Sequence, residues 1–156
     1  METGFMLKNT KGKGEGVYAQ KEFKNGELVM PGIIQKELTQ STSHSSQIGE
    51  TRHVLHDGLI SKVNHSCDPN CGIKVNKTGA HDFYARRYIA KGEEITFDYA
   101  MRNYSVDHFH KKCLCGAENC RGEILGWKSL STKKKNEYIG FVAPYLLEMD
   151  KKQNNS

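Results

Sequence analysis

Three cysteines fall within eight residues near the end of the chain, in Cys113-Leu114-Cys115-Gly116-Ala117-Glu118-Asn119-Cys120. Thiolates so close together suit a tetrahedral zinc site and leave one corner open. Gly116 permits the tight turn between them. The fourth ligand must come from elsewhere in the chain. The best placed is Cys67, inside a second dense segment, Asn64-His65-Ser66-Cys67-Asp68-Pro69-Asn70, with Cys71, His108 and His110 as competitors. If Cys67 closes the site, a zinc ion ties the tail to the middle of the protein. The chain has five cysteines, an odd number, and three of them are too crowded for a spread disulfide framework. In a reducing compartment that pattern favours metal over disulfides.

The elements that must position these groups are short. The chain has 156 residues, of which 37% are hydrophobic and 26% charged, as expected of one globular domain. No apolar run approaches the roughly 20 residues of a membrane helix, and the N-terminus has no signal-peptide core. An intracellular, cytoplasmic protein is expected. The net charge of +5 collects in Lys111-Lys112, Lys133-Lys134-Lys135 and Lys151-Lys152. No aromatic platform interleaves these lysines, so they read as solvated surface, and direct nucleic-acid binding is not expected.

Residues 4–30 read as glycine-punctuated strands, with Asn25-Gly26 as a hairpin turn signal before residues 27–30. Residues 39–50, rich in Ser, Thr, Gln and His, have loop composition. His53–His56 reads as a strand that Asp57-Gly58 turns into residues 59–63. Residues 71–75 and 82–89 pair across a turn at 76–79, and a turn at 90–94 leads to a strand over 95–99. After the cysteines the period changes. Tyr138, Ile139, Val142, Tyr145, Leu146 and Met149 recur at helical spacing behind Thr132 as N-cap. Pro144 divides that stretch into two short helices and opens the second.

Four segments occur in a particular order: Gly14-Glu15-Gly16-Val17-Tyr18-Ala19, then the Asn64–Asn70 segment, Gly92-Glu93-Glu94-Ile95-Thr96-Phe97-Asp98-Tyr99, and the cysteine cluster with Arg121-Gly122. Together they closely resemble the SET-domain protein-lysine methyltransferases with a post-SET zinc segment, across roughly residues 4–128. The resemblance implies a mainly β fold of several small sheets with a C-terminal pseudo-knot. It divides the chain into a SET domain over 4–104, a post-SET segment over 105–128 and a helical extension over 129–150. It implies S-adenosylmethionine as methyl donor, S-adenosylhomocysteine as product, zinc, and a protein substrate whose lysine enters from the opposite face.

Methyl transfer from a sulfonium to an amine needs a neutral, aligned amine. A lysine of pKa ~10.4 costs about 4–5 kcal/mol to deprotonate at pH 7. A desolvating channel lowers that cost, and alignment removes part of the remaining barrier. By the resemblance, Tyr99 is the catalytic tyrosine and Phe97 the position that sets how many methyls are added. Phenylalanine there leaves room for di- or trimethylation. Gly14, Glu15, Gly16, Asn64 and His65 would contact the cofactor, with Leu114 packing over it. Cys67, Cys113, Cys115 and Cys120 would hold zinc, with Trp127 as a lid or packing residue nearby.

The chain also departs from the family. The insert before Asn64 is reduced to residues 39–56 and lacks a tyrosine, which leaves Tyr18 or Tyr104 to complete the lysine channel. A minimal enzyme, as monomer or homodimer, fits these facts. The rival reading is a zinc-stabilised SET-like interaction module without catalysis. In a nucleated cell or a host, the expected place of action becomes the nucleus or chromatin.

Overall fold

A computed structural model describes residues 4–40, 42, 45–106 and 112–154. His108, His110 and Lys111 lie outside that set. The described strands are β1 (Phe5–Asn9), β2 (Glu15–Ala19), β3 (Leu28–Met30), β4 (Ile34–Leu38), β5 (Ser46–Gln47), β6 (His53–His56), β7 (Asn64–His65), β8 (Cys71–Val75), β9 (His81–Ala85) and β10 (Thr96–Phe97). Two helices follow, α1 (Thr132–Glu137) and α2 (Pro144–Asn154).

The strands make four small sheets: β1-β2, β3-β9-β8, β4-β6-β5 and the parallel pair β7-β10. β8 and β9 form a hairpin in which Ile73 faces Phe83, both fully buried. Cross-strand pairs of this kind hold a short ladder together. β10 lies parallel to β7, with Thr96 beside Asn64 and Phe97 beside His65. A parallel pair cannot be closed by a tight turn, so the β8-β9 hairpin occupies the crossover between its strands.

The helices close the same core. Tyr138 and Leu146 are fully buried, as is Trp127, whose indole Nε1–H donates to Asp150 at 2.7 Å. Trp127 is therefore a packing residue, not a lid. Pro144 does open the second helix, as its fixed φ and missing N–H favour.

Three local expectations change. Asn25-Gly26 does not close a hairpin. β3 pairs with β9, and the Gly26 N–H donates to the Ala85 carbonyl at 2.8 Å. The turn signal fixes a bend but not which strand comes next to it. The polar stretch 39–50 contains β5, whose Ser46 and Gln47 are buried. Ser46 Oγ meets His56 Nδ1 at 3.0 Å, and Gln47 Oε1 accepts from the Tyr104 N–H at 2.9 Å. Satisfied polar groups can be buried where composition alone suggests a loop. After the turn at Asp57-Gly58, residues 58–62 form a 3-10 turn that tucks Ile60 inward. The first helix is capped by Ser131, not Thr132: the Ser131 hydroxyl accepts from the Lys134 N–H at 3.2 Å.

Candidate active site

The parallel β7-β10 pair brings the two most informative segments together. His65 is 4% exposed, and its Nδ1 accepts the Tyr99 N–H at 3.0 Å. Burial lowers the His65 pKa to about 4, although Asp98 pulls it the other way. The ring is therefore neutral, and its 3.5 Å approach to Asp98 is not an ion pair. With Nδ1 accepting, the proton belongs on Nε2, which lies 3.5 Å from Cys67 Sγ. The His65 and Tyr99 rings meet edge to face at 5.2 Å.

Tyr99 stands on the 3-10 turn that follows β10, with Asp98 as its N-cap. Burial raises the Tyr99 pKa, while the Arg102 guanidinium opposes the rise. Its hydroxyl therefore stays a phenol at neutral pH, a donor and acceptor but no base. Phe97 is fully buried, with Phe83 and Tyr99 at 4.8 and 5.0 Å between ring centroids. The Arg102 guanidinium lies 4.6 Å from the Phe97 ring centre. Together these groups make an aromatic corner with one hydroxyl.

On the other side of β7, Asn64 Nδ2 donates to the Glu15 carbonyl at 2.8 Å and to the Glu94 carboxylate at 3.0 Å. Glu94 also pairs with Lys13 at 2.8 Å. Gly16 lies in the middle. A Cβ there would come within 2.7 Å of Glu94 Oε2 and 3.1 Å of Asn64 Nδ2. Beside Gly14, a Cβ would meet nothing within 4 Å. The Gly14-Glu15-Gly16 backbone, Asn64, and the Lys13-Glu94 pair thus surround an open edge bearing both charges. That donor set fits the amino and carboxylate ends of an amino-acid-like ligand. Leu114 is 53% exposed, and its Cδ1 would lie 3.8 Å from a Cβ at Gly12. The cysteine tail therefore reaches the same edge. Lys13 carried no motif signal, and Glu94, although inside the Gly92–Tyr99 segment, carried no assigned role. The pairing of the two, 81 residues apart, has no local signal in the sequence.

The four cysteine sulfurs of Cys67, Cys113, Cys115 and Cys120 all lie within 4.8 Å of one another, with Cys67 and Cys113 at 3.7 Å. Zn–S bonds of about 2.3 Å in a tetrahedron place sulfurs roughly 3.8 Å apart, so the set fits zinc. Burial pushes the Cys67 thiol up to about 11, against the Arg121 guanidinium and backbone N–H. Burial also works against the Cys115 thiolate, but hydrogen bonds from the Cys67 and Ala117 backbone and the neighbouring thiols outweigh it and hold Cys115 at about 7. Loading such a site at neutral pH releases protons. Cys71 stands apart on β8, fully buried and pushed up to about 12 by burial, and lies outside the cluster.

Tyr104 donates its hydroxyl to Asp150 at 3.3 Å. Tyr18 stays half-buried, its backbone bridged to Glu94. Lys151 and Lys152 pair with carboxylates at the exposed surface, whereas Lys134 and Lys135 pair with Glu137 and Asp150 while lying half-buried over the Tyr138 and Trp127 rings. No described helix is long and apolar enough to cross a membrane.

The SET domain family model matches residues 14–100. A Saccharomyces cerevisiae relative, "Histone-lysine N-methyltransferase, H3 lysine-4 specific", is 44% identical over 42% of this chain. The Drosophila melanogaster "Histone-lysine N-methyltransferase Set2" is 34% identical over 75% of it. The chain spans only 6% of the length of each. Among solved structures, KRYPTONITE in complex with DNA, an H3(1-15) peptide and SAH superposes with a TM-score of 0.62 at 21% identity. That match covers 77% of this chain and 29% of the other, and speaks for the fold.

Proposed function

Since the chain belongs to the SET-domain family, we propose that it is an S-adenosylmethionine-dependent protein-lysine N-methyltransferase. The observation that carries this reading is the β7-β10 pair. It sets Asn64 and His65 against Phe97 and Tyr99, which supports a cofactor side on the first pair and an acceptor side on the second. The cofactor supplies an activated methyl on a sulfonium. The Gly14-Glu15-Gly16 backbone and Asn64 would bind its amino-acid end and Leu114 would cover it, while His65 fixes the segment against Tyr99.

The chain's own contribution to the chemistry is alignment and desolvation. The buried aromatic corner disfavours the ammonium form of an entering lysine. The phenolic oxygen of Tyr99 accepts a hydrogen bond from the amine and orients its lone pair toward the methyl. Phe97 offers no hydroxyl to hold a crowding water, so the corner accepts an already methylated amine, and di- or trimethylation follows. The substrate is a protein presenting a lysine, a histone or another basic protein, which places the enzyme at chromatin in the cell or a host. Cys67, Cys113, Cys115 and Cys120 hold zinc, which fastens the tail.

Labelled S-adenosylmethionine with a panel of lysine-containing proteins tests the activity, and mass spectrometry reads the methylation state. Tyr99→Phe should lower turnover about 100-fold or more, as loss of an orienting group in a reacting site does. It should keep S-adenosylhomocysteine affinity within about 2-fold. No transfer and no cofactor binding by the wild-type protein would sink the proposal. An interaction module would bind proteins but transfer nothing, and the substitution would change neither. Metal analysis should find about one zinc per chain. Cys67→Ser should lose it and Cys71→Ser keep it; the reverse result overturns the ligand set.

A further inference from the structure

Arg121 follows the last cysteine of the knuckle and touches both halves of the site. Its backbone N–H donates to Cys67 Sγ at 3.4 Å. Its guanidinium forks onto Asp98, with Nη1 at 2.8 Å from Oδ2 and Nη2 at 3.0 Å from Oδ1. Asp98 is fully buried between Phe97 and Tyr99. Its Oδ1 also accepts the Ala100 N–H at 3.0 Å, which caps the turn carrying Tyr99. Its Oδ2 accepts the Tyr138 hydroxyl from just beyond α1 at 2.8 Å.

One residue thus reads the cysteine cluster through its backbone and the reacting strand through its side chain. A planar fork on a buried carboxylate fixes orientation as well as distance, which a point charge cannot do. If the knuckle shifts, the fork cannot follow without moving Asp98, and Asp98 caps the turn on which Tyr99 sits. We propose that Arg121 is a positioning residue that couples metal loading of the knuckle to the geometry of Tyr99 and His65. This rests on the methyltransferase reading for what the strand does, but the coupling has a readout of its own.

The simpler role for Arg121 is to neutralise Asp98, whatever the state of the knuckle. The two roles differ in additivity. The experiment is hydrogen exchange over residues 96–102, read by mass spectrometry on the full chain, as purified and after chelation. Wild-type exchange should rise about 10-fold when zinc is removed, as a local opening does. Arg121→Gln should show that rise with zinc still bound, and chelation should then add less than about 2-fold, the mark of coupled sites.

The proposal is overturned if Arg121→Gln exchanges like the wild type, or if the two effects multiply. Should the glutamine variant not fold, Arg121→Lys carries the same test, because it keeps the charge but loses the fork. Binding of S-adenosylhomocysteine by the wild-type protein reports separately on the methyltransferase reading. Intact coupling without binding overturns that reading alone; binding with additive exchange overturns the coupling alone.

Discussion

At the scale of single residues the site is a set of close approaches. Gly16 is the tightest, because Glu94, Asn64 and Thr10 all stand where a side chain would begin. Gly16→Ala should displace Asn64 or Glu94 and weaken S-adenosylhomocysteine binding by roughly 10-fold or more, since overpacking costs about 1–3 kcal/mol and 1.4 kcal/mol is tenfold. Calorimetric titration checks it; unchanged affinity would mean that this edge is not the cofactor's. Residues with a spacing signal were legible from sequence: the crowded cysteines announced a cluster, and Cys67 sits among their sulfurs. Residues defined by a partner far along the chain were not. An arginine after a cysteine looks like surface until Asp98 is found behind it. The clue for Asp98 was a carboxylate between two aromatics on an apolar strand, a position where burial demands partners.

At the scale of elements, the polypeptide after the knuckle is a brace for the segment that carries Phe97 and Tyr99. The Ala143 N–H donates to the Met101 carbonyl at 2.9 Å. The Tyr145 hydroxyl lies between two carbonyls, that of Arg102 at 2.6 Å and that of Gln47, with one proton to share between them. Between the helices, the Ile73 N–H donates to the Phe141 carbonyl at 2.9 Å, bringing Phe141 against Gly72. A Cβ on Gly72 would lie 2.3 Å from that of Phe141. Gly72→Ala should therefore pry the brace from β8. It should cost about 1–3 kcal/mol and lower the melting temperature by roughly 2–12 °C, at 2–4 °C per kcal/mol for a chain of this size. A melting curve within 1 °C of wild type would show that the contact yields freely. The helices and the proline between them were legible because a 3.6-residue period and a missing N–H are local properties. The pairing of β3 with β9 was not, because a turn signal names no partner. Nor was β5, where the neutral His56, accepting at Nε2, donates its Nδ1–H to Ser46 Oγ, and Asn103 Oδ1 accepts the Gln47 N–H.

At the scale of the whole molecule, a buried histidine pair ties the sheets together. The His81 N–H donates to His56 Nε2 at 3.0 Å, and the rings lie 5.3 Å apart. Burial, with the Arg102 guanidinium adding to it, lowers His56 to about 4. His81 falls well below its ordinary value through burial, with His56 and Arg102 contributing. Both are neutral in the fold, whereas the unfolded chain takes up protons from about pH 6.5 downward. Stability is therefore full above pH 6.5 and is lost as the pH falls toward 4. For His56 the loss is about 3 kcal/mol, or roughly 6–12 °C in melting temperature. His56→Gln should flatten the pH dependence between those limits; an unchanged slope would place the protons elsewhere. The parallel β7-β10 pair has a kinetic consequence. Loop closure makes such a pair costly to form early, so we predict that it forms after the β8-β9 hairpin has shortened the loop between its strands; a φ-value below about 0.3 for Phe97→Leu bears that out, and a value near 1 rules it out. On that order, Asn64, His65, Phe97 and Tyr99 meet late in folding. A ligand bound there adds RT ln(1 + [L]/Kd) to the stability of the finished protein, and where the pair forms after the folding barrier it slows unfolding rather than speeding folding.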